Sequence, residues 1–280
     1  MQIANIPLGE GAPLVLIAGL NVIENESETL RVAKFLSERS SAHGFPLVFK
    51  ASVDKANRSS WRSFRGPGVA EGLRVLSKVQ TELGLPVLTD VHEVAQAKEV
   101  AEVVDCLQVP AFLCRQTDLL DACAETGRPI NVKKGQFLAP SDMRHVVEKL
   151  KNAGANDVFL TERGTTFGYG NLVVDFRGIV EMRTMAPVCL DATHSVQFPG
   201  ASGEATGGDC RMVIPLARAG AAVGLDALFA EVHPDPTRAP CDGPSQLDYE
   251  GFELLLSLSL IHISEPTRRT PISYAVFCLK

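Results

Sequence analysis

Pro13–Leu20 reads PLVLIAGL, an unbroken apolar run that is followed directly by Asn21. Continuous apolar runs of this length are typical of β-strands buried on both faces, as in parallel sheets. The next segment, Ser27–Ala42, has apolar residues at helical spacing, and Ser27 is a suitable N-cap. A buried strand followed by a helix is the repeating unit of an α/β fold.

The same alternation repeats along the chain. Further strands are predicted at Leu47–Lys50, Val87–Asp90, Cys106–Val109, Ile130–Lys133, Val158–Thr161, Val188–Asp191 and Ala227–Glu231. Helices are predicted at Gly68–Leu83, Glu93–Val103, Thr117–Glu125, Ser141–Asn152 and Gly207–Ala219, among others. This pattern predicts a single (β/α)8 TIM barrel over residues 1–257. A doubly wound sheet is the alternative, but Gly19–Val22 lacks the glycine-rich phosphate loop that such a fold needs after its first strand.

The composition narrows the class of protein. An apolar fraction of 45% supplies a sizeable core, and a formal charge of −6 argues against a general nucleic-acid binder. The chain has neither a signal-peptide pattern at its start nor an apolar run long enough to span a bilayer. The seven cysteines form no C-x-x-C pair, which favours reduced thiols. We therefore expect a cytoplasmic protein with no nucleic-acid or membrane partner.

A basic loop follows the second predicted strand. Phe49–Gly68 reads FKASVDKANRSSWRSFRGPG and carries five cations against a single carboxylate, Asp54. Its cations are Lys50, Lys55, Arg58, Arg62 and Arg65. Lysine, arginine and hydroxyl groups on a loop that leaves a buried strand are suited to binding phosphate. A solvated basic surface loop is the alternative.

Polar side chains end every predicted strand. They are Asn21, Lys50, Asp90 with His92, Gln108, Lys133, Glu162 with Arg163, Asp191 with His194, and Glu231 with His233. Barrel enzymes keep their active sites at the carboxyl ends of the strands, so the pattern predicts one shared site for an anionic ligand. Lys50, Lys55, Lys133-Lys134 and Arg163 would form its clamp, with surface salt bridges as the alternative for each alone. Arg115 adds a cation after the fourth strand, or else faces solvent.

His194, Glu231 and Asp242 form a candidate set of ligands for a divalent metal, with Asn21 as the fourth. An amide oxygen is a weak, neutral ligand, so we predict a metal-free site in which these residues act as hydrogen-bonding and acid–base groups. His233 is interpreted as a structural residue that fixes the turn before a proline.

Phe198–Asp209, which reads FPGASGEATGGD, follows the seventh predicted strand. The segment is rich in glycine and has no apolar anchors. It is either an ordinary flexible connection or a lid that closes over bound ligands and excludes water.

The chain resembles the 3-deoxy-D-manno-octulosonate 8-phosphate synthase (2-dehydro-3-deoxyphosphooctonate aldolase) family from about Leu14 to Leu247. The segments that carry the resemblance are FKASVDKANRSS, RGPG, TDVHE, QVPAFLCRQTDLL, NVKKGQF, TERGTTFGYGNLVVD, DATHSVQ, EVHPDP and CDGPSQL. The resemblance implies a barrel that is usually a homotetramer. It also implies condensation of phosphoenolpyruvate with D-arabinose 5-phosphate and water, releasing phosphate, for lipopolysaccharide biosynthesis.

The resemblance also implies which residues do what. Lys55, Gln108, Ala111, Lys133 and Arg163 would hold phosphoenolpyruvate, with Lys50 close by and Glu231 as a further binding residue. Asn57, Arg58 and Ser59 would hold the pentose phosphate, and Arg115 would reach the site of a neighbouring subunit. Asn21 is typical of the metal-independent members, which need no cofactor; the metal-dependent members have Cys there. Heptulosonate synthases of aromatic biosynthesis carry a Lys-Pro-Arg-Thr type motif at Lys55–Ser59, so the pentose phosphate is the favoured acceptor.

For the chemistry, we hypothesise that Lys133 protonates or polarises the new alkoxide, while His194 and Asp242 orient the attacking water. Two other functions stay open at this point. One is a related synthase that uses another sugar acceptor, and the other is a phosphosugar-binding barrel without catalysis.

The C-terminal segment departs from the family. Residues 258–280, which begin LSLIHISEPTR, match the conceptual translation of a transposon-type sequencing adapter. We expect this segment to be a non-native, disordered replacement for the native C-terminus. The eighth helix of the barrel would then be truncated or replaced, since only residues 247–257 remain to form its start.

Overall fold

Eight parallel strands close into a barrel in the computed structural model, which describes residues 1–57, 60–202 and 205–257. The strands are β1 (Val15–Val22), β2 (Leu47–Ser52), β3 (Val87–Asp90), β4 (Cys106–Val109), β5 (Ile130–Lys133), β6 (Val158–Glu162), β7 (Val188–Asp191) and β8 (Ala227–Glu231). Each pairs with the next along the chain, and β8 pairs with β1. The predicted (β/α)8 barrel is confirmed.

Eight helices follow these strands. They are α1 (Glu26–Ala42), α2 (Val69–Leu83), α3 (Val94–Ala101), α4 (Thr117–Glu125), α5 (Met143–Asn152), α6 (Phe176–Arg183), α7 (Val213–Val223) and α8 (Tyr249–Leu255). No helix in the described parts of the chain is both long and apolar enough to cross a membrane.

Two predicted helix starts were wrong, one because another residue caps the helix and the other because an extended segment comes before it. Ser27 is not the N-cap of α1: Asn25 holds that position, and its Oδ1 accepts a hydrogen bond from the backbone N–H of Glu28 at 2.9 Å. The helix predicted from Gly207 begins only at Val213, because Ala205–Gly208 is an extended strand.

Two apolar layers hold the barrel together. The inner layer includes Ile17, Val48 and Phe229, and it is joined at the amino end by Ile3 and Leu8 from an N-terminal hairpin. The outer layer lies between the strands and the helices and forms the larger of the two clusters. With apolar side chains filling the amino end of the barrel, polar side chains remain for the carboxyl end.

The close approach of β1 and β2 depends on one glycine. Gly19 pairs with Lys50 on one side and with Glu231 on the other, so these residues lie level near the carboxyl end. A Cβ on Gly19 would lie 1.9 Å from the backbone oxygen of Lys50. No larger residue fits there without moving the strand that carries Lys50.

Two antiparallel hairpins lie beyond the carboxyl ends of the strands. One pairs Thr165–Phe167 with Asn171–Val173, and the other pairs Gln197–Ser202 with Ala205–Gly208. The second contains most of the glycine-rich segment, whose described parts pair antiparallel with a register shift between Phe198 and Ser202. Closure of this segment as a lid stays a prediction.

The eighth helix is short and well packed in its described part. Phe252 and Leu255 are fully buried, and the ring of Tyr249 stacks on that of Phe35 in α1 with centroids 3.8 Å apart. The expectations for residues 258–280 lie outside the described residues.

Candidate active site

A cavity of about 680 Å³ opens at the carboxyl ends of the strands. The predicted site residues that line it are Lys50, Lys55, Asn57, Gln108, Ala111, Lys133, Arg163, His194 and Asp242. Asn21 and Glu231 are buried and contact this group through hydrogen bonds and close charge contacts. Arg58 and Ser59 lie outside the described residues.

Asn21 joins two carboxylates. Its Nδ2 donates hydrogen bonds to Glu231 Oε2 at 2.6 Å and to Asp242 Oδ2 at 3.0 Å, while its Oδ1 accepts one from the thiol of Cys241. Asp242 adopts a left-handed backbone conformation with φ of 54°, which is uncommon outside glycine. An amide NH₂ group therefore lies between the two acidic side chains.

The predicted metal set does come together in space. His194, Glu231 and Asp242 each offer one ligand atom within 4.8 Å of the others. However, Asn21 presents its nitrogen to the two carboxylates, and an N–H donor cannot be a metal ligand. The donor set therefore does not suit a resident divalent ion, and a metal-free site stays our prediction.

Lys50 lies at the floor of the cavity and is only 1% exposed. Its Nζ donates to Ser52 Oγ at 2.8 Å, and that hydroxyl donates to Asp90 Oδ1 at 2.6 Å. Asp90 and Glu231 each place an oxygen 3.7 Å from the amine. Burial, with repulsion from Lys55, lowers the pKa of Lys50 to about 8 despite these carboxylates.

The pKa of Lys55 is shifted in the opposite direction from that of Lys50, because nearby carboxylates outweigh burial. It is partly buried, which by itself would lower its pKa, but Asp90, Glu231 and Asp242 raise that pKa to about 12. In turn, Lys50 and Lys55 hold the pKa of Asp90 well below its usual range, although burial opposes this. The cavity therefore contains a protonated amine that faces the ionised carboxylate of Asp90.

Lys133 and His194 converge on one buried carboxylate. Lys133 Nζ donates to Asp191 Oδ2 at 2.6 Å, and His194 Nδ1 lies 2.8 Å from the same oxygen. Burial would raise the pKa of Asp191, but His194 and Lys133 hold it well below its usual range. The amine of Lys133 also lies 4.1 Å from the centre of the Phe229 ring. These contacts fix the direction of the Lys133 ammonium group.

One N–H group of Arg163 lacks a hydrogen-bond partner among the described residues. Its Nη2 donates to Gln197 Oε1 at 2.9 Å, but within the described residues its buried Nη1 has no hydrogen-bond partner. Buried polar groups are nearly always paired, so such a donor at a cavity wall indicates a place for a ligand. Burial lowers the pKa of Arg163, which an anionic ligand would offset.

Gln108 is held from behind by a chain of hydrogen bonds inside the barrel. Its Nε2 donates to Asn131 Oδ1 at 2.9 Å, and Asn131 Nδ2 donates to Thr161 Oγ1 at 2.7 Å. The chain links three adjacent strands and fixes the Gln108 amide at the cavity wall.

Three predicted residues lie away from the cavity. Lys134 is completely buried beside Glu162, with Nζ and Oε2 3.6 Å apart, so its place in the predicted clamp was wrong. Glu162 is likewise absent from the cavity lining. His233 accepts a hydrogen bond from the backbone N–H of Asp235 at 3.0 Å, in agreement with a structural role in the turn.

Arg115 does not line the cavity of its own chain. It is exposed beside a smaller cavity of about 310 Å³ on the outer surface, where its backbone oxygen accepts a hydrogen bond from Lys149. Its role at a neighbouring subunit stays a prediction.

The sequence patterns missed several cavity residues. They are Ala56, Glu93, Pro110, Phe112, Leu113, Gln136 and Gln197. Most follow a strand end by two or more residues, in loops whose path the apolar pattern does not determine. The position of Gln136 three residues past Lys133 was the available signal, since both belong to the same strand-end loop.

A parallel barrel with buried cations around a cavity at its carboxyl end is typical of an enzyme that acts on small anionic substrates. The family model described as the DAHP synthetase I family matches residues 1–261, and the chain belongs to this family. It is 54% identical over 257 residues to a 2-dehydro-3-deoxyphosphooctonate aldolase of Trichlorobacter lovleyi, covering 91% of this chain and 94% of the relative. A protein of the same name from Synechococcus is 56% identical over 250 residues, covering 89% and 88%. One from Fusobacterium nucleatum is 51% identical over 261 residues, covering 93% and 94%.

Proposed function

We propose that this protein condenses phosphoenolpyruvate with D-arabinose 5-phosphate and water to give 3-deoxy-D-manno-octulosonate 8-phosphate and inorganic phosphate. The observation that carries the proposal is the buried Nη1 of Arg163, which has no hydrogen-bond partner among the described residues and shares one cavity with Lys55 and Lys133. Both proposed substrates are phosphate esters, which such a cationic cavity suits. The relatives' shared name supports this choice of reaction within the family.

Phosphoenolpyruvate binds deep in the cavity. Lys55, Lys133 and Arg163 neutralise its carboxylate and phosphate groups. Gln108 and Ala111 contribute uncharged contacts at the same wall. Lys50, with Glu231 beside it, supplies a further charge at the floor. This arrangement explains why cations lie close together in a cavity of an acidic chain, since the bound anion offsets their repulsion.

The carbon–carbon bond forms when C3 of phosphoenolpyruvate attacks the aldehyde carbon of the pentose. The carbonyl electron pair moves to oxygen, and Lys133 protonates or polarises the resulting alkoxide. Asp191 accepts a hydrogen bond from the amine of Lys133 at 2.6 Å and so holds it in place for that step. Lys133 is therefore the catalytic group that acts on the oxygen of the former aldehyde.

Water then adds at C2, whose positive character grows as C3 forms its new bond. His194 and Asp242 orient this water, and the adjacent carboxylates stabilise positive charge at C2. In the hemiketal phosphate that forms, the bond between C2 and the phosphate oxygen breaks and its electron pair leaves with the phosphate, while the C2 hydroxyl loses its proton and becomes a ketone. Of the two protons of the water, one ends on the new hydroxyl at the former aldehyde carbon by way of Lys133, and the other ends on the phosphate. Asn21 keeps Glu231 and Asp242 close together without a cation, so the reaction runs without a metal or any other cofactor.

The pentose phosphate lies nearer the mouth of the cavity. Asn57 lines that region. The proposal also assigns binding of the pentose phosphate to Arg58 and Ser59, which lie outside the described residues. Arg115 from a neighbouring subunit reaches the terminal phosphate, so the active form is an oligomer, which we propose to be a homotetramer. The product serves lipopolysaccharide biosynthesis in the cytoplasm.

The experiment is a comparison of acceptors. Purified protein is incubated with phosphoenolpyruvate and either arabinose 5-phosphate, ribose 5-phosphate or erythrose 4-phosphate, and both phosphate and 3-deoxy-ketose are measured. Arabinose 5-phosphate should give equal amounts of both products. Preference for the four-carbon acceptor would indicate a heptulosonate synthase. Binding without phosphate release would indicate a barrel that only binds phosphosugars.

A further inference from the structure

Two neighbouring strand ends carry adjacent charged residues that point to opposite sides of the barrel wall. Lys133 and Arg163 line the cavity. Lys134 and Glu162 share a face with Val132 and Leu160, which belong to the outer apolar layer. Because successive side chains of a strand alternate, two cations lie in front of the wall and one ion pair lies behind it.

The pair behind the wall is fully buried. Lys134 is 0% exposed and Glu162 is 1% exposed, and Nζ lies 3.6 Å from Oε2. Burial lowers the pKa of Lys134 and raises that of Glu162, so the burial of both charges is costly. A buried ion pair contributes little net stability compared with apolar groups of similar size. Stability alone therefore does not explain why this ion pair lies beside the cavity.

The contacts of the pair tie together the loops that follow β5 and β6. Lys134 Nζ donates to Thr165 Oγ1 at 3.0 Å and to the backbone oxygen of Leu138 at 3.4 Å. Glu162 Oε1 accepts hydrogen bonds from the backbone N–H groups of Arg163 at 3.0 Å and Gly164 at 2.6 Å. Each charged group thus holds the backbone beside a cation of the cavity.

The strand pairing ends at the same place. Lys133 is the last residue of β5 in register with β6, opposite Thr161, and one further hydrogen bond runs from the N–H of Lys134 to the oxygen of Thr161 at 2.8 Å. Beyond this point one backbone hydrogen bond, from the N–H of Thr166 to the oxygen of Gln136 at 3.0 Å, still joins the two loops. Lys133 and Arg163 carry like charges, whose repulsion the carboxylate of Asp191 offsets in part.

We propose that Lys134 and Glu162 are positioning residues that hold Lys133 and Arg163 at the spacing required by the substrate anion before that anion arrives. The inference rests on the proposed function, in which those two cations bind phosphoenolpyruvate. A preorganised site spends less of its binding energy on ordering side chains. Small displacements of such groups have large effects on binding and rate.

The test is a double variant, Lys134→Met with Glu162→Gln, compared with the unmodified protein. Both charges are removed while side-chain volume and an acceptor for the two backbone N–H groups are kept. The Kd of phosphoenolpyruvate is measured by titration calorimetry without the second substrate, and unfolding is measured in urea. We expect the urea midpoint to stay close to that of the unmodified protein. The Kd should rise about tenfold, which is less than the roughly hundredfold loss that a 1 Å displacement can cause.

A matched control removes an exposed ion pair in the same way. Arg74→Met with Glu71→Gln alters a pair on α2, with each side chain about half exposed, and should leave the Kd unchanged. Thr165→Val, which removes one hydrogen bond of Lys134 and keeps the ion pair, offers a second measurement should the double variant fold poorly, and it should also raise the Kd. In an Arg163→Ala background, Glu162→Gln should have little further effect, because it acts through the backbone of Arg163.

The outcomes separate the inference from the proposed function. An unchanged Kd in a folded double variant, with tight binding by the unmodified protein, would overturn the positioning role and leave the proposed function intact. A shifted urea midpoint with an unchanged Kd would show a purely structural pair and would also overturn it. Failure of the unmodified protein to bind phosphoenolpyruvate would overturn both.

Discussion

The side-chain nitrogen of Asn21 lies 2.6 Å from Glu231 Oε2 and donates a hydrogen bond to it. The same nitrogen donates to Asp242 Oδ2 at 3.0 Å, so one amide bridges two carboxylates. A divalent cation would bridge them in a comparable way in a metal enzyme. The amide offers two N–H donors of partial positive charge, which offset repulsion between the carboxylates without a full charge.

Replacing this amide should create a metal requirement. Asn21→Asp adds a carboxylate to the cluster of His194, Glu231 and Asp242, whose ligand atoms lie within 4.8 Å of one another. We expect the variant to have low activity that Mn²⁺ restores and EDTA removes, and to bind Mn²⁺ in titration calorimetry. Asn21→Ala, which removes the donor without adding a ligand, is the control and should not respond to Mn²⁺. Equal Mn²⁺ stimulation of the unmodified protein would contradict our interpretation of the amide.

Lys133 should affect turnover more than substrate binding. Lys133→Met keeps most of the side-chain volume but removes the proton donor, and it leaves Asp191 with Thr193 and His194 as side-chain partners. We expect kcat to fall by about 10²- to 10⁴-fold, the usual contribution of general acid–base catalysis. The measurement is steady-state phosphate release at saturating substrates, with Lys34→Met on the exposed face of α1 as control. Turnover within a factor of about two of normal would remove Lys133 from the catalytic role.

The pH dependence of kcat/KM for phosphoenolpyruvate should follow the protonation state of Lys50. Burial, with repulsion from Lys55, lowers the pKa of Lys50 to about 8, so its positive charge is present below that pH and lost above it. We therefore expect kcat/KM for phosphoenolpyruvate to decline above about pH 8, approaching a tenfold loss per pH unit. In Lys50→Arg this alkaline limb should disappear, because arginine stays charged. A profile that stays flat to about pH 9.5 in the unmodified protein would rule out Lys50 as the titrating group.

Replacing Asn57 should weaken the binding of only one of the two substrates. It is exposed at the mouth of the cavity, whereas the residues proposed for phosphoenolpyruvate lie deeper. We expect Asn57→Ala to raise KM for arabinose 5-phosphate by about tenfold, as loss of one or two polar contacts would do, with little change in KM for phosphoenolpyruvate. Ser63→Ala in the same loop is the control. Equal increases in both KM values would show that Asn57 does not separate the two subsites.

The sequence predicted the barrel because its strands are continuous apolar runs with abrupt polar ends. The bounds of β3, β4, β5, β7 and β8 agree with those predicted. Helix starts were less predictable, since capping depends on side-chain geometry: Asn25 rather than Ser27 caps α1. Apolar periodicity contains no information of that kind.

The residue types of the site were predictable, but which side chains face the cavity was not. Cations at strand ends indicated an anion site, and Lys133 and Arg163 do line the cavity. Nothing local distinguishes Lys133 from Lys134, which follow one another in the sequence. Only the register of the closed barrel decides which of them faces inward, and a shift by one residue would exchange them. The burial of Lys134 with Glu162 is therefore a tertiary property.

The most direct measurement is phosphate release from phosphoenolpyruvate on addition of arabinose 5-phosphate, with and without EDTA. The proposed function predicts one phosphate for each 3-deoxy-octulosonate formed, at a rate that EDTA does not change. Loss of activity in EDTA would keep the reaction but contradict the metal-free site. A folded protein that binds phosphoenolpyruvate and releases no phosphate with this pentose would contradict the proposed function itself.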